Sequence, residues 1–208
     1  RFIDTWHTSG LRGTGSGDMA VDALAIPQAR SVSLITDQPR IATPLYKFPV
    51  FGLLALGIAA VASGNIRAAF REFAESAGAK RLPTGRFLNE RAAIQSAYAD
   101  AHARASAARA LLLQEIETCW REAQSGAAIS LQARAGLRLA CTHLTRTAAE
   151  IARTLQDLAG GAAVFLDNPL NRRAADAQVM TAHIMIAPPT YELTGRALLG
   201  VPVSAAEL

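Results

Sequence analysis

Cysteine is scarce in this 208-residue chain, charge is sparse, and nowhere do basic residues cluster along the sequence. Only Cys119 and Cys141 occur, neither near a CxxC pair or a histidine at metal-ligand spacing. That excludes a disulfide framework and a metal site built on cysteines, and it points to a reducing compartment with two small buried thiols. Charged residues make up 18% of the chain, and 21 basic against 17 acidic side chains leave a net charge of +4. Arg67, Arg71, Arg91, Arg104 and Arg109 are spread singly and read as a solvated surface. A nucleic-acid reader needs a basic stripe with interleaved aromatics, so no nucleic-acid partner is expected, only a modest preference for anions. No basic-then-apolar leader follows Arg1, and the expected location is cytoplasmic. The turn Gly13–Asp18 is glycine-rich, but it lacks GxGxxG spacing and the lysine of a Walker loop.

What the chain does have is apolar residues, half of the total, with alanine and leucine abundant. That composition suits a packed helical protein and excludes extensive disorder. Phe48–Gly64 is nearly uncharged over 17 residues. This is the bottom of the membrane-spanning range of about 17–25. The run continues as RAAFREF without a break and reads as a buried core helix, with no membrane partner.

From Phe48 onward the apolar period is helical. A first helix is expected over about 48–77, with Gly78 as its C′ residue. A second, over about 84–125, has an inner stripe at Ile94, Ala97, Ala101, Ala105, Ala108, Leu112, Ile116, Cys119 and Ala123, and ends at Gly126. A third, over about 130–159, repeats the pattern through Ala140, Leu144, Ala148, Ile151, Leu155 and Leu158, and stops at Gly160-Gly161. Asn168 caps a fourth, with Pro169 at its first position; Pro188-Pro189 interrupts it, and Tyr191–Leu199 forms a short last helix. Together they predict a mainly α fold, an up-and-down four-helix bundle over 48–208.

Residues 1–36 differ. Short apolar runs separated by RGTGSGD predict two or three strands with a tight connection at Gly13–Asp18. Two or three strands cannot bury a core alone, and the first residue is not Met, so a longer protein is expected. Residues 37–47, with two prolines, form the linker between this β part and the helical domain. The Gly13–Asp18 segment is either a plain tight turn or one whose amides, with Thr14 or Ser16, face a ligand.

The stretch NPLNRRAADAQVMTAHIMIAPPTYELTGRALLG resembles the last helical hairpin of the acyl-CoA dehydrogenase superfamily, in the form used by its two-component flavin monooxygenase branch. There an Asp is followed seven residues later by a His, here Asp176 and His183. The resemblance extends to WHTSGLRGTGSGDMAVDALAIPQAR, similar to the closing strands of the superfamily's middle β-domain, and to Phe87, Gln95, Ala99 and Arg109 of the second helix. It also covers Gly160-Gly161, which matches a loop near the adenosine end of a neighbouring subunit's flavin, and the ending TYELTGRALLG. The catalytic Glu of the dehydrogenases falls on Ile184, which cannot accept a proton. Thr84 stands where flavin-binding dehydrogenases have Arg, with Arg86 nearby as a substitute; Asp157 replaces a Gln and Ala175 an Arg.

The resemblance implies the end of a β-domain followed by the C-terminal helical bundle. It also implies the oxygenase component of a two-component monooxygenase, acting on an aromatic or heteroatom-containing small molecule. Reduced FMN or FAD would come from a separate NAD(P)H-dependent reductase, and the bundle would build a homotetramer. His183 would be catalytic, either activating the substrate or stabilising the oxygenating flavin. Arg86, Phe87, Gly160, Gly161, Thr14 and Ser16 would contact the flavin, and no metal is called for. His183 is expected on a helix, with Asp176 two turns back on the same face as a salt-bridge anchor. Arg172 and Arg173 are expected to be solvated or intersubunit. The alternatives are an acyl-CoA dehydrogenase-like oxidoreductase and a non-catalytic helical assembly module.

Overall fold

The protein is described here by a computed structural model covering residues 1–34 and 36–208. Five α-helices are found among the described residues: α1 (Val50–Ala79), α2 (Ala92–Gln124), α3 (Leu131–Ala159), α4 (Pro169–Met180) and α5 (Pro189–Leu198). α3 packs on all four others, α1 also touches α4, and α1 meets α2 through ring contacts of Phe70 and Phe73 with Tyr98. Lys80 reaches Ala159 and Gly52 faces Leu137, so α1 and α3 run in the same direction. Cys119 meets Ala133 and Arg104 meets Glu150, so α2 runs opposite to α3. This is the up-and-down bundle that the apolar period predicts.

Small side chains bring α1 and α3 together. Ala55, Ala59, Ala62 and Ala69 line the buried face of α1, and a Cβ on Gly52 would stand 3.0 Å from Leu137 Cδ2. α1 is apolar and long enough to cross a membrane by length and composition, yet its alanine stripe, Phe70 and Phe73 are buried inside the bundle. Both thiols are buried, Cys119 on α2 and Cys141 on α3.

Helix ends follow their caps, with three departures from the sequence-based boundaries. Gly78 lies inside α1, which runs on to Ala79 because Lys80 turns extended and opens a hairpin: Leu82 N–H donates to Arg86 O, and Leu88 N–H to Lys80 O. That hairpin, with Gly85 at φ +84°, delays α2 to Ala92. α4 ends at Met180, eight residues before Pro188. The donors that would extend it tighten to i→i−3: the N–H groups of Thr181, Ala182 and His183 go to Gln178 O, Val179 O and Met180 O, and Met185 N–H goes to His183 Nδ1. Ser130 caps α3 through Ala133 N–H, and Asn168 caps α4 through Leu170 N–H.

The N-terminal segment forms less sheet than expected. Phe2–Ile3 (β1) pairs antiparallel with Asp18–Met19 (β2), and no third strand forms among the described residues; Ile35, in the expected third run, lies outside them. Val21, Leu24, Ile26, Val32 and Leu34 are exposed, with no neighbouring strand among the described residues to pair their backbone.

The segment is tied to the bundle at one place. Asp176 Oδ1 accepts Leu11 N–H at 2.6 Å, and a Cβ on Gly10 would collide with Ala175 O. Asp176 thus anchors through a backbone donor, not through the expected salt bridge. α4 itself is fixed to α1 by Arg173, whose Nη2 meets Glu72 Oε1 at 2.7 Å while Asn65 Nδ2 donates to Arg173 O. Arg173 is therefore neither solvated nor free, and its hydrogen bond to Glu72 raises its pKa further.

Two outcomes follow. Gly10→Val forces the turn off α4, and Asp176→Ala removes a charged hydrogen bond of about 1.5–3 kcal/mol; both should raise hydrogen exchange in residues 1–20 while the helices stay protected. Burial pushes the Cys119 thiol up to about 11, helped by Glu122, and the Cys141 thiol up to about 12, from an ordinary 9.0. The unfolded thiols release protons first, so this contribution to stability is complete below pH 9 and declines as pH rises toward 11–12. Neither thiol should react with a disulfide reagent at pH 8 until denaturant unfolds the chain, and rapid native labelling would refute their burial.

Candidate functional site

His183 lies on the turn that follows α4, not on a helix, so it shares no helical face with Asp176. Its side chain is exposed, and Nδ1 accepts Met185 N–H at 3.2 Å. Nδ1 is thus occupied as an acceptor, which leaves Nε2 as the ring's donor. Ile184, beside it, is 75% exposed, so no carboxylate occupies the neighbouring position.

Behind the turn stands Arg138 of α3, only 4% exposed. Nη2 donates to Met185 O at 3.4 Å and Nη1 to Glu207 O at 3.2 Å, while Nε has no partner. Burial without an ion pair lowers its pKa from the ordinary value. One buried cation therefore holds both the His183 turn and the C-terminal tail, whose Leu208 is buried. Sequence reasoning missed it; the available signal was a lone Arg inside the apolar run LRLAC.

A second cluster lies along α4. Residues 9–14 and the start of α4 enclose a cleft of 490 Å³ with Thr14, Arg12, Asn171, Arg172 and Asp176 among its walls. The Thr14 and Ser16 hydroxyls are 2.9 Å apart, and a Cβ at Gly13 or Gly15 would meet nothing within 4 Å, so this turn stands open. Arg12 and Arg172 form no ion pair among the described residues, which makes the cleft receptive to an anion.

A third cluster sits at the end of the bundle where α1 meets α2. Arg86 Nη2 donates to Glu90 O at 2.6 Å, and Glu90 Oε2 accepts Phe87 N–H at 2.8 Å. The Arg81 guanidinium stacks over the Phe87 ring at 5.4 Å. Lys80 joins this hairpin to the Gly-Gly loop: its Nζ donates to Ala159 O and lies 3.4 Å from where a Gly160 Cβ would be. Gly160 has φ +74°, which favours glycine there. Asp157 is paired with Arg153, one turn back on α3. The structure thus brings Arg86, Phe87, Gly160 and Gly161 to one end, and it places Thr14 with Ser16, and His183, elsewhere.

Comparison with known proteins agrees with this architecture. The profile of the acyl-CoA dehydrogenase C-terminal domain matches residues 56–188. The indole-3-acetate monooxygenase of Acinetobacter baumannii is 31% identical over 199 residues, covering 95% of this chain and 51% of that protein. The 3-HSA hydroxylase from Rhodococcus sp. RHA1 superposes with a TM-score of 0.87 at 22% identity, over 100% of this chain and 55% of that one. XiaF from Streptomyces sp., solved with FADH2 and glycerol, gives 0.85 at 22%, over 97% and 53%. The chain spans about half the length of the curated relatives it matches. With the matched profile running from α1 through the His183 turn, the chain belongs to the family of the acyl-CoA dehydrogenase C-terminal domain.

Proposed function

We propose that this chain is the C-terminal half of the oxygenase component of a two-component, flavin-dependent monooxygenase that hydroxylates an aromatic small molecule. The observation that carries the reading is the turn after α4. It presents a histidine and an isoleucine, with no carboxylate to remove an α-proton, which disfavours an acyl-CoA dehydrogenase. Relatives of similar sequence are named as monooxygenases of indole-3-acetate, and a protein of the same fold was solved with FADH2. In this reading residues 1–36 close a middle β-domain, 37–47 are its linker and 48–208 form the helical domain.

Reduced flavin, FMN or FAD, supplies the electrons that let O2 deliver one oxygen atom to the substrate and the other to water. The open Thr14–Ser16 turn and the cations Arg12 and Arg172 fit the anionic part of such a group. The end carrying Phe87, Gly160 and Gly161 would meet the flavin of a neighbouring subunit in a homotetramer; Arg86, already engaged by Glu90, would contribute through its remaining donors. His183 acts as a donor here: with Nδ1 accepting from Met185, the Nε2 proton is available to an oxygen that gains negative charge. A base at Nε2 would require the Met185 contact to break first. The reductase would be separate and NAD(P)H-dependent, and the location cytoplasmic.

In the full-length protein, with a flavin reductase and indole-3-acetate as first test substrate, His183→Ala should fold normally. It should lose about 10²–10³ in hydroxylation rate, ~2.7–4 kcal/mol, and return the oxygen consumed as hydrogen peroxide. Unchanged coupling would remove His183 from the chemistry, and turnover of an acyl-CoA with an electron acceptor would overturn the reading. Light scattering should give four copies per particle; a stable monomer at micromolar concentration contradicts the tetramer.

A further inference from the structure

Arginines scattered in sequence meet in space. A groove of 390 Å³ runs between α1, α2 and α3, away from all three clusters described above. Its rim carries Arg67 and Arg71 of α1 and Arg109 and His102 of α2. None of the three arginines forms a hydrogen bond or ion pair among the described residues, and no lining residue is acidic. Arg67 and Arg71, four residues apart on one helix, place two like charges side by side at the rim. The floor is apolar and buried: Ile66, Phe70, Leu144 and Ile151. Its wall is aromatic, with His102 stacked on Phe70 at 3.9 Å and Tyr98 edge-on to Phe70 at 5.5 Å.

The geometry points to a binding site for a free organic anion with an apolar body, a monocarboxylate whose ring or chain lies on Phe70 and Ile151 beneath the arginine rim. The volume falls within the range of small-molecule pockets, about 300–1,000 Å³, and the balance of apolar floor with few polar groups is that of such sites. Arginine suits the role because its planar guanidinium binds carboxylate with two parallel hydrogen bonds. The inference stands independently of the proposed oxygenase chemistry, since no residue of the groove belongs to that site.

The test uses 4-phenylbutyrate and its neutral counterpart 4-phenyl-1-butanol, read by calorimetry and by methyl NMR shifts of Ile66, Leu144 and Ile151. The carboxylate should bind about tenfold tighter than the alcohol, ~1.4 kcal/mol, and shift those methyls. The exposed triple substitution Arg67→Gln, Arg71→Gln and Arg109→Gln should erase the difference without changing helicity. Ala105→Phe, which narrows the groove, should weaken both ligands, and His183→Ala should leave binding unchanged. Equal affinity for acid and alcohol, methyl shifts confined to other residues, or binding lost in His183→Ala would each overturn the proposal. So would self-association that the arginine substitutions abolish and 4-phenylbutyrate does not affect, because a second copy would then occupy the groove.

Discussion

Everything in this fold hangs on α3. More than half of its residues are buried, and they face α1, α2, α4 and α5 on different sides. A helix surrounded in this way cannot carry one broad stripe of large side chains. It uses alanine, threonine and cysteine between Leu137, Leu144, Ile151 and Leu155, so that neighbouring backbones approach closely from several directions. The buried Thr145 hydroxyl is satisfied locally, donating to Cys141 O one turn back, whereas that of Thr142 has no partner. In this small-residue core the two buried thiols serve as spacers.

Short elements cannot be held this way, and polar contacts take over. α4 has 12 residues, too few to dock by apolar area alone, and it is fastened by the Glu72–Arg173 pair and by Asn65. The N-terminal segment has almost no core of its own and relies on Gly10 lying directly against α4 and on Asp176. The His183 turn and the tail share a single buried guanidinium. Each candidate site residue thus sits on a segment positioned by one or two directional bonds to the rigid helices. Large exposed side chains remain at Phe165, Leu166 and Leu199, an apolar surface of the kind that marks an interface.

The amino-acid sequence by itself determined the helices, their caps and the buried stripes. Alanine and leucine at steps of three and four define one face whatever surrounds them, Ser130 and Asn168 cap locally, and Gly126 and Gly160 stop helices through their own backbone freedom. The end of α4 was not legible there, since Val179 to Ile186 keeps helical character and only the His183 and Arg138 contacts break the ladder. Nor was strand content: the runs after Met19 have strand-like composition, but a strand exists only where another strand supplies hydrogen bonds. Arg67, Arg71 and Arg109 read as scattered surface charge because a separation of 42 positions from first to last conceals that α1 and α2 line one groove with α3. Arg173 reads as solvated for the same reason, its partner Glu72 lying 101 residues away. Periodicity and capping are local and survive in one dimension, whereas charge pairing, burial of a lone cation and the grouping of site residues are decided only when distant helices pack.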